Sequence, residues 1–196
     1  ILQIGIPSAF QYSLFAFANL FVQSSVNSFD HVLVEGNSAA ANADPLVYDM
    51  MAAFYTACSS FIAQNFGARK KKRILQTYLI CLFYSFIRSL VLGVGIYLAR
   101  YPFLYLFTSD KAVVEAGITR LSIMALSYSA SAFMDASIAA SRGLGKTAVP
   151  TFVVVMGSCV FRIIWIYTIF AYFHTIQSLY ILYVFSWGIT AIAENI

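Results

Sequence analysis

Charge is what this sequence has least of. Asp, Glu, Lys and Arg make up 10% of its 196 residues, less than half of the roughly 25% usual in a soluble domain. None occurs between Ile1 and Phe29, and none between Ile163 and Ala193. Uncharged runs of that length exceed the roughly 18 residues that mark a membrane-spanning helix. A soluble enzyme, a nucleic-acid binder and a disordered tail are thereby excluded. Cysteine is also scarce. Cys58, Cys81 and Cys159 form no C-x-x-C and no metal-ligand spacing, so neither a disulfide framework nor a zinc site is expected. Catalytic motifs are missing too: there is no G-x-S-x-G and no H-E-x-x-H. Gly143-Leu144-Gly145-Lys146-Thr147 ends like a phosphate-binding loop, but Ala140 stands where its first glycine is required. It reads as a turn. His31 and His174 fall in expected loops with no ligand partner nearby. We expect no enzymatic chemistry, no metal and no cofactor.

What fills the chain is apolar. Hydrophobic residues make up 61% and aromatic residues 17%, with 18 Phe and 13 Tyr, and the mean hydropathy is +0.79. The ten-residue alternating segments of an outer-membrane barrel are absent. Division at charge and turn signals predicts an all-α membrane protein of six helices, at about 4–29, 37–66, 74–99, 113–141, 148–171 and 176–195. Loops 67–73 and 142–147 hold Arg69, Lys70, Lys71, Lys72, Arg73, Arg142 and Lys146, whereas the other loops hold only Arg100 and Lys111. That bias places loops 67–73 and 142–147, and with them both chain ends, in the cytoplasm. The net charge of +4 is thus a membrane-topology signal. The first residue is Ile, and the last apolar run stops at the final residues. Residues 1–196 are therefore expected to be a single six-helix unit within a longer chain.

Polar residues inside these spans are the functional candidates, because they are costly in hydrocarbon and face a cavity or another helix. The first segment repeats Ser8, Tyr12, Asn19 and Gln23, with Phe15 interrupting at the same helical spacing. The second carries Asn37, Asn42, Asp44, Tyr48, Asp49, Tyr55 and Thr56, and Pro45 is expected to bend it in mid-helix. Interhelical hydrogen bonding and the lining of a substrate path are equally good readings of these groups. Depth sorts the charges. Arg120 and Arg142 are about 33 Å apart along a helix, one hydrocarbon thickness, so both are expected at interfaces. Arg88 and Arg162 share the outer half of the bilayer with Asp44 and Asp49, and pairing among them is the economical expectation. Asp135, about 10 Å inside Arg142, has no basic residue expected at its own depth. It is the acid best placed to take up and release a cation, with Tyr128 and Ser131 in line with it.

Several stretches resemble the C-terminal half of the multidrug and toxic compound extrusion (MATE) carriers. They are Ile4-Gly5-Ile6-Pro7, Gly36-Asn37-Ser38-Ala39-Ala40-Ala41-Asn42, and Gln64-Asn65-Phe66-Gly67-Ala68 before the basic loop. Further on come Met134-Asp135-Ala136, Ser141-Arg142-Gly143-Leu144-Gly145 with Pro150, then Arg162, Trp165, Ser186-Trp187 and Thr190-Ala191. The resemblance implies one lobe of a twelve-helix carrier, partnered by an N-terminal six-helix lobe of the same chain. It implies export of a small organic substrate in exchange for H⁺ or Na⁺, by alternating access, across the cell (inner) membrane. Asp135 and Asp44 match positions where relatives keep membrane acids, and Tyr12, Asn19, Gln23, Asn42, Tyr48, Tyr55, Tyr128 and Ser131 would line the cavity. Some members keep an acid eight residues past the first proline, where this chain has Phe15, which counts against a two-acid Na⁺ site. The alternatives are a lipid-linked oligosaccharide flippase of the same superfamily, or a self-associating structural or channel subunit.

Overall fold

The computed structural model describes residues 2–195, and these fold as α-helices joined by short turns. In chain order they are α1 (Leu2–Val26), α2 (His31–Ala41), α3 (Ala43–Gly67), α4 (Lys71–Leu98), α5 (Arg100–Tyr105), α6 (Lys111–Gly143), α7 (Ala148–Phe173) and α8 (Ile176–Glu194). Among the described residues five stretches are long and apolar enough to cross a membrane: α2 with α3, α4, α6, α7 and α8. α1 is a further helix, 25 residues long and without a charged side chain.

Local chemistry explains where these helices depart from the expected boundaries. The second span begins at His31, not near residue 37, because the Asp30 carboxylate accepts a hydrogen bond from the Leu33 amide at 2.9 Å and caps the helix. Asp110 caps α6 in the same way through the Ala112 amide at 2.8 Å. Pro45 does not bend the middle of a helix. The helix instead breaks at Asn42, and Pro45 falls in the first turn of α3, where a missing N–H leaves no intrahelical bond unmade. The basic stretch is not all loop. Arg69 takes a left-handed conformation (φ 56°), the Lys70 amide bonds back to Asn65 at 2.9 Å, and α4 starts at Lys71. Likewise Arg142 belongs to α6, while Gly145 (φ 78°) makes the expected turn. His31 opens α2, and His174 (φ 47°) closes α7 with its ring against those of Phe29 and Phe170, which also meet each other.

The hub is α6, which packs against α2, α3, α4 and α8. Its most apolar stretch is 61% buried, whereas that of α4 is only 17% buried. α4 is therefore peripheral and turns Leu79, Phe83, Val91 and Leu98 outward, toward what the apolar composition requires to be lipid. Its inner edge is a stripe of small residues, Ser85, Ser89 and Gly93, one helical turn apart. Gly93 lies directly against the Ala125 carbonyl of α6, the close backbone approach that small residues allow. One core cluster joins Val47 and Met51 of α3, Met124, Tyr128 and Ala132 of α6, and Trp187 of α8. Gln11, Tyr12, Asn19 and Gln23 of α1 and Asp44, Tyr48, Tyr55 and Thr56 of α3 face the space beside this cluster.

Candidate functional site

That space is a cavity of about 750 Å³ bounded mainly by α1, α3, α6 and α8, with Asn37 and Ala41 of α2 and Val154 of α7 completing it. From α1 come Gln11, Phe15, Asn19 and Gln23, each four residues from the next and so on one face, together with Tyr12. α3 supplies Asp44, Tyr48 and Tyr55; α6 supplies Arg120, Ser131, Asp135 and Arg142; α8 supplies Tyr183 and Trp187. Six of the eight expected lining residues and both expected acids therefore converge. Two lining expectations fail. Asn42 is exposed at the helix break, where its Nδ2 donates to the Ser38 carbonyl at 3.1 Å. Tyr128 is completely buried behind the wall.

Three guanidinium groups organise the cavity at different depths. Near the Lys71 end, Arg142 donates through Nη1 to the Tyr55 hydroxyl at 2.7 Å and through Nη2 to Gln11 Oε1 at 2.8 Å. Its guanidinium lies 5.8 Å from both the Tyr12 and the Tyr55 ring centroids. Near the Asp110 end, Arg120 Nη2 meets Asp44 Oδ2 at 2.7 Å, and the Tyr128 hydroxyl donates to Asp44 Oδ1 at 2.5 Å. Both carboxylate oxygens of Asp44 are thus engaged. In between, Arg162 of α7 is wholly buried just behind the wall. It donates to Asn19 Oδ1 at 2.6 Å and Ser186 Oγ at 3.2 Å, and lies 4.6 Å from the ring centroids of both Phe15 and Tyr183.

This arrangement overturns the expected pairings. Arg120 is 6% exposed and ion-paired, not at an interface. The helix-length ruler measures depth along one helix and is blind to which neighbour a side chain meets. The break at Asn42 delivers Asp44 to that face of α6. Arg88 and Arg162 find no acid of their own. Arg88 lies over the Phe54 ring at 4.8 Å, and Asp49 is exposed on α3. The Asp44–Arg120 pair is the one salt bridge among the described residues. Asp135 is not isolated from basic groups either, since Arg142 and Arg88 both act on it electrostatically. It nevertheless forms no ion pair. Gln11 was missed as a lining residue, although its spacing of four to Phe15 and eight to Asn19 is the signal that would have found it.

The family model for MatE matches residues 7–168, well over half of the chain. The chain belongs to the MatE family. No curated protein matches this MatE sequence. Over 99% of its length the MatE chain is similar in structure to the MATE transporter VcmN of Vibrio cholerae, with 19% identity and a TM-score of 0.89. The same share matches the eukaryotic MATE transporter AtDTX14, at 20% identity and a TM-score of 0.86. It also matches a MOP superfamily transporter from Pyrococcus furiosus, at 17% identity and a TM-score of 0.86. At these identities the likeness establishes a shared fold. The chain spans 44% of the length of VcmN and of AtDTX14 and 43% of the Pyrococcus protein. The cavity thus lies within a multi-pass transporter fold, and MATE proteins are transporters, not enzymes.

Proposed function

We propose that this MatE lobe forms half of the path of a cation-coupled antiporter that exports small organic compounds. Its partner is an N-terminal six-helix lobe of the same protein, with the substrate bound between the two. The carrier sits in the cell (inner) membrane with the Lys71 end and both ends of this lobe in the cytoplasm, as the basic residues there support. One observation carries the reading. Of the two acids on the cavity wall, Asp44 is held by Arg120 and Tyr128, whereas Asp135 has no ion pair and opens on the same space as the aromatic and amide groups. A carboxylate so placed can bind a proton, a Na⁺ or the cationic part of a substrate, one at a time. Competition of that kind is what exchange requires.

Gradient-driven export by the full-length carrier in proteoliposomes tests this, with ethidium as the cationic probe and pH and Na⁺ gradients imposed separately. Asp135→Asn keeps the side-chain size and removes the exchangeable charge. It should leave insertion intact and reduce export to the leak level. Near-normal export by the variant would refute the coupling role.

A further inference from the structure

The densest charge of the chain lies outside the cavity. Arg69, Lys70, Lys71, Lys72 and Arg73 are consecutive, and no Asp or Glu occurs between Asp49 and Asp110. All five are exposed, and none forms an ion pair among the described residues. The turn that carries them is well defined: Arg69 is left-handed, and the Lys70 amide bonds to the Asn65 carbonyl at 2.9 Å. Lys70, Lys71, Lys72 and Arg73, with Gln76, line a surface depression of about 440 Å³. The first turn of α4 holds no acid and no side chain caps it, so the positive end of the helix adds to these charges. Such a depression calls for an anion.

An apolar track starts where the depression ends. Leu75, Leu79 and Phe83 follow Lys72 at three, seven and eleven residues, a spacing that puts all four on one face of α4. The three apolar side chains are exposed. Phe83 lies about 16 Å beyond Lys72 along the helix, the depth of one hydrocarbon leaflet, about 15 Å. No charged residue follows Arg73 on α4 until Arg88. Basic residues at the foot of an apolar face one leaflet deep match a molecule with an anionic head and fatty tails. A soluble polyanion would use the cations and leave the track empty.

We propose that the Arg69–Arg73 turn and the outward face of α4 bind an anionic phospholipid. Its phosphate sits in the depression among Lys70, Lys71, Lys72 and Arg73, and its acyl chains lie along Leu75, Leu79 and Phe83. A zwitterionic phospholipid would bring its own ammonium group among these cations, so the site selects for net negative charge. The depression shares no lining residue with the cavity, and lipid binding there is independent of what the carrier transports.

Short-range fluorescence quenching in the full-length carrier tests this. Leu79→Cys, in a background without other cysteines, is labelled with bimane, and the protein is reconstituted into phosphatidylcholine vesicles. The quencher is nitroxide-labelled phosphatidylglycerol or, in equal amount, nitroxide-labelled phosphatidylcholine. The anionic lipid should quench as though enriched about fivefold at Leu79, the worth of one basic residue at a membrane surface. Val91→Cys, exposed on the same helix but about 18 Å farther from the basic turn, should show no preference. Lys72→Gln with Arg73→Gln should remove the preference at Leu79. Two control variants should keep it: Lys72→Arg with Arg73→Lys, which exchanges the side chains and retains the charge, and Lys146→Gln, which removes a charge of the same sign from the other basic loop. Equal quenching by the two lipids at Leu79 would leave the cations to a soluble polyanion and overturn the proposal. So would the same preference at Val91, its survival without the charges of Lys72 and Arg73, or its loss in either control variant.

Discussion

Asp44→Asn isolates the contribution of the buried ion pair to the fold. The substitution leaves Arg120, whose side chain is 7% exposed, without its counter-charge, and leaves the Tyr128 hydroxyl facing a weaker acceptor. Removing one partner of a buried pair costs about 3–5 kcal/mol. The Asp44 side chain is 22% exposed toward the cavity, so water can reach the orphaned guanidinium and the low end, about 3 kcal/mol, applies. For a carrier about twice this length that corresponds to a drop of roughly 3–5 °C in Tm. The assay is thermal unfolding of the full-length carrier in detergent. The double variant Asp44→Leu with Arg120→Met replaces both charges by apolar groups and leaves only the Tyr128 hydroxyl without its acceptor, so it should be more stable than Asp44→Asn. Two results would refute the reasoning: a drop of under about 2 °C for Asp44→Asn, or a double variant as unstable as the single one.

Three further outcomes follow from the packing and the turns. A Cβ added at Gly93 would collide with the Ala125 carbonyl, whereas one at Gly95 meets nothing within 4 Å. Gly93→Ala should thus cost about 1–3 kcal/mol and separate α4 from α6, while Gly95→Ala should be neutral or slightly stabilising. The same thermal assay compares them, and equal melting temperatures would contradict the close approach. Arg69 holds a left-handed backbone conformation, so Arg69→Gly should stabilise the α3–α4 turn by about 1 kcal/mol; a lower Tm would show that the side chain matters more than the strain. In a cysteine-free background, Lys71→Cys should react with an impermeant maleimide only in inverted membranes and Ser109→Cys only in intact cells, and the reverse pattern would invert the topology.

Composition and periodicity by themselves determined the class, an all-α membrane protein. Apolar runs near 20–30 residues have only one stable answer in a bilayer, the helix, because it satisfies its own backbone. Loop charges carried the proposed orientation for the same reason: they are local quantities. The polar stripe on α1 was legible through its four-residue spacing, and its convergence with Asp44, Tyr48, Tyr55 and Asp135 on one cavity agrees with that pattern. Boundaries were blurred wherever a single side chain decided them, as the Asp30 cap and the Asn42 break show.

Tertiary structure alone decided which charges meet. Depth along a helix is one coordinate, and a side chain's partner depends also on rotation about the axis and on which helix lies beside it. Asp44 and Arg120 are 76 residues apart in sequence, and nothing local joins them. Arg162 and Asn19 are 143 residues apart, yet that contact fixes which end of an amide faces the cavity. A sequence shows that an arginine is buried; only the fold shows that two aromatic rings and a carbonyl oxygen, not an acid, surround it.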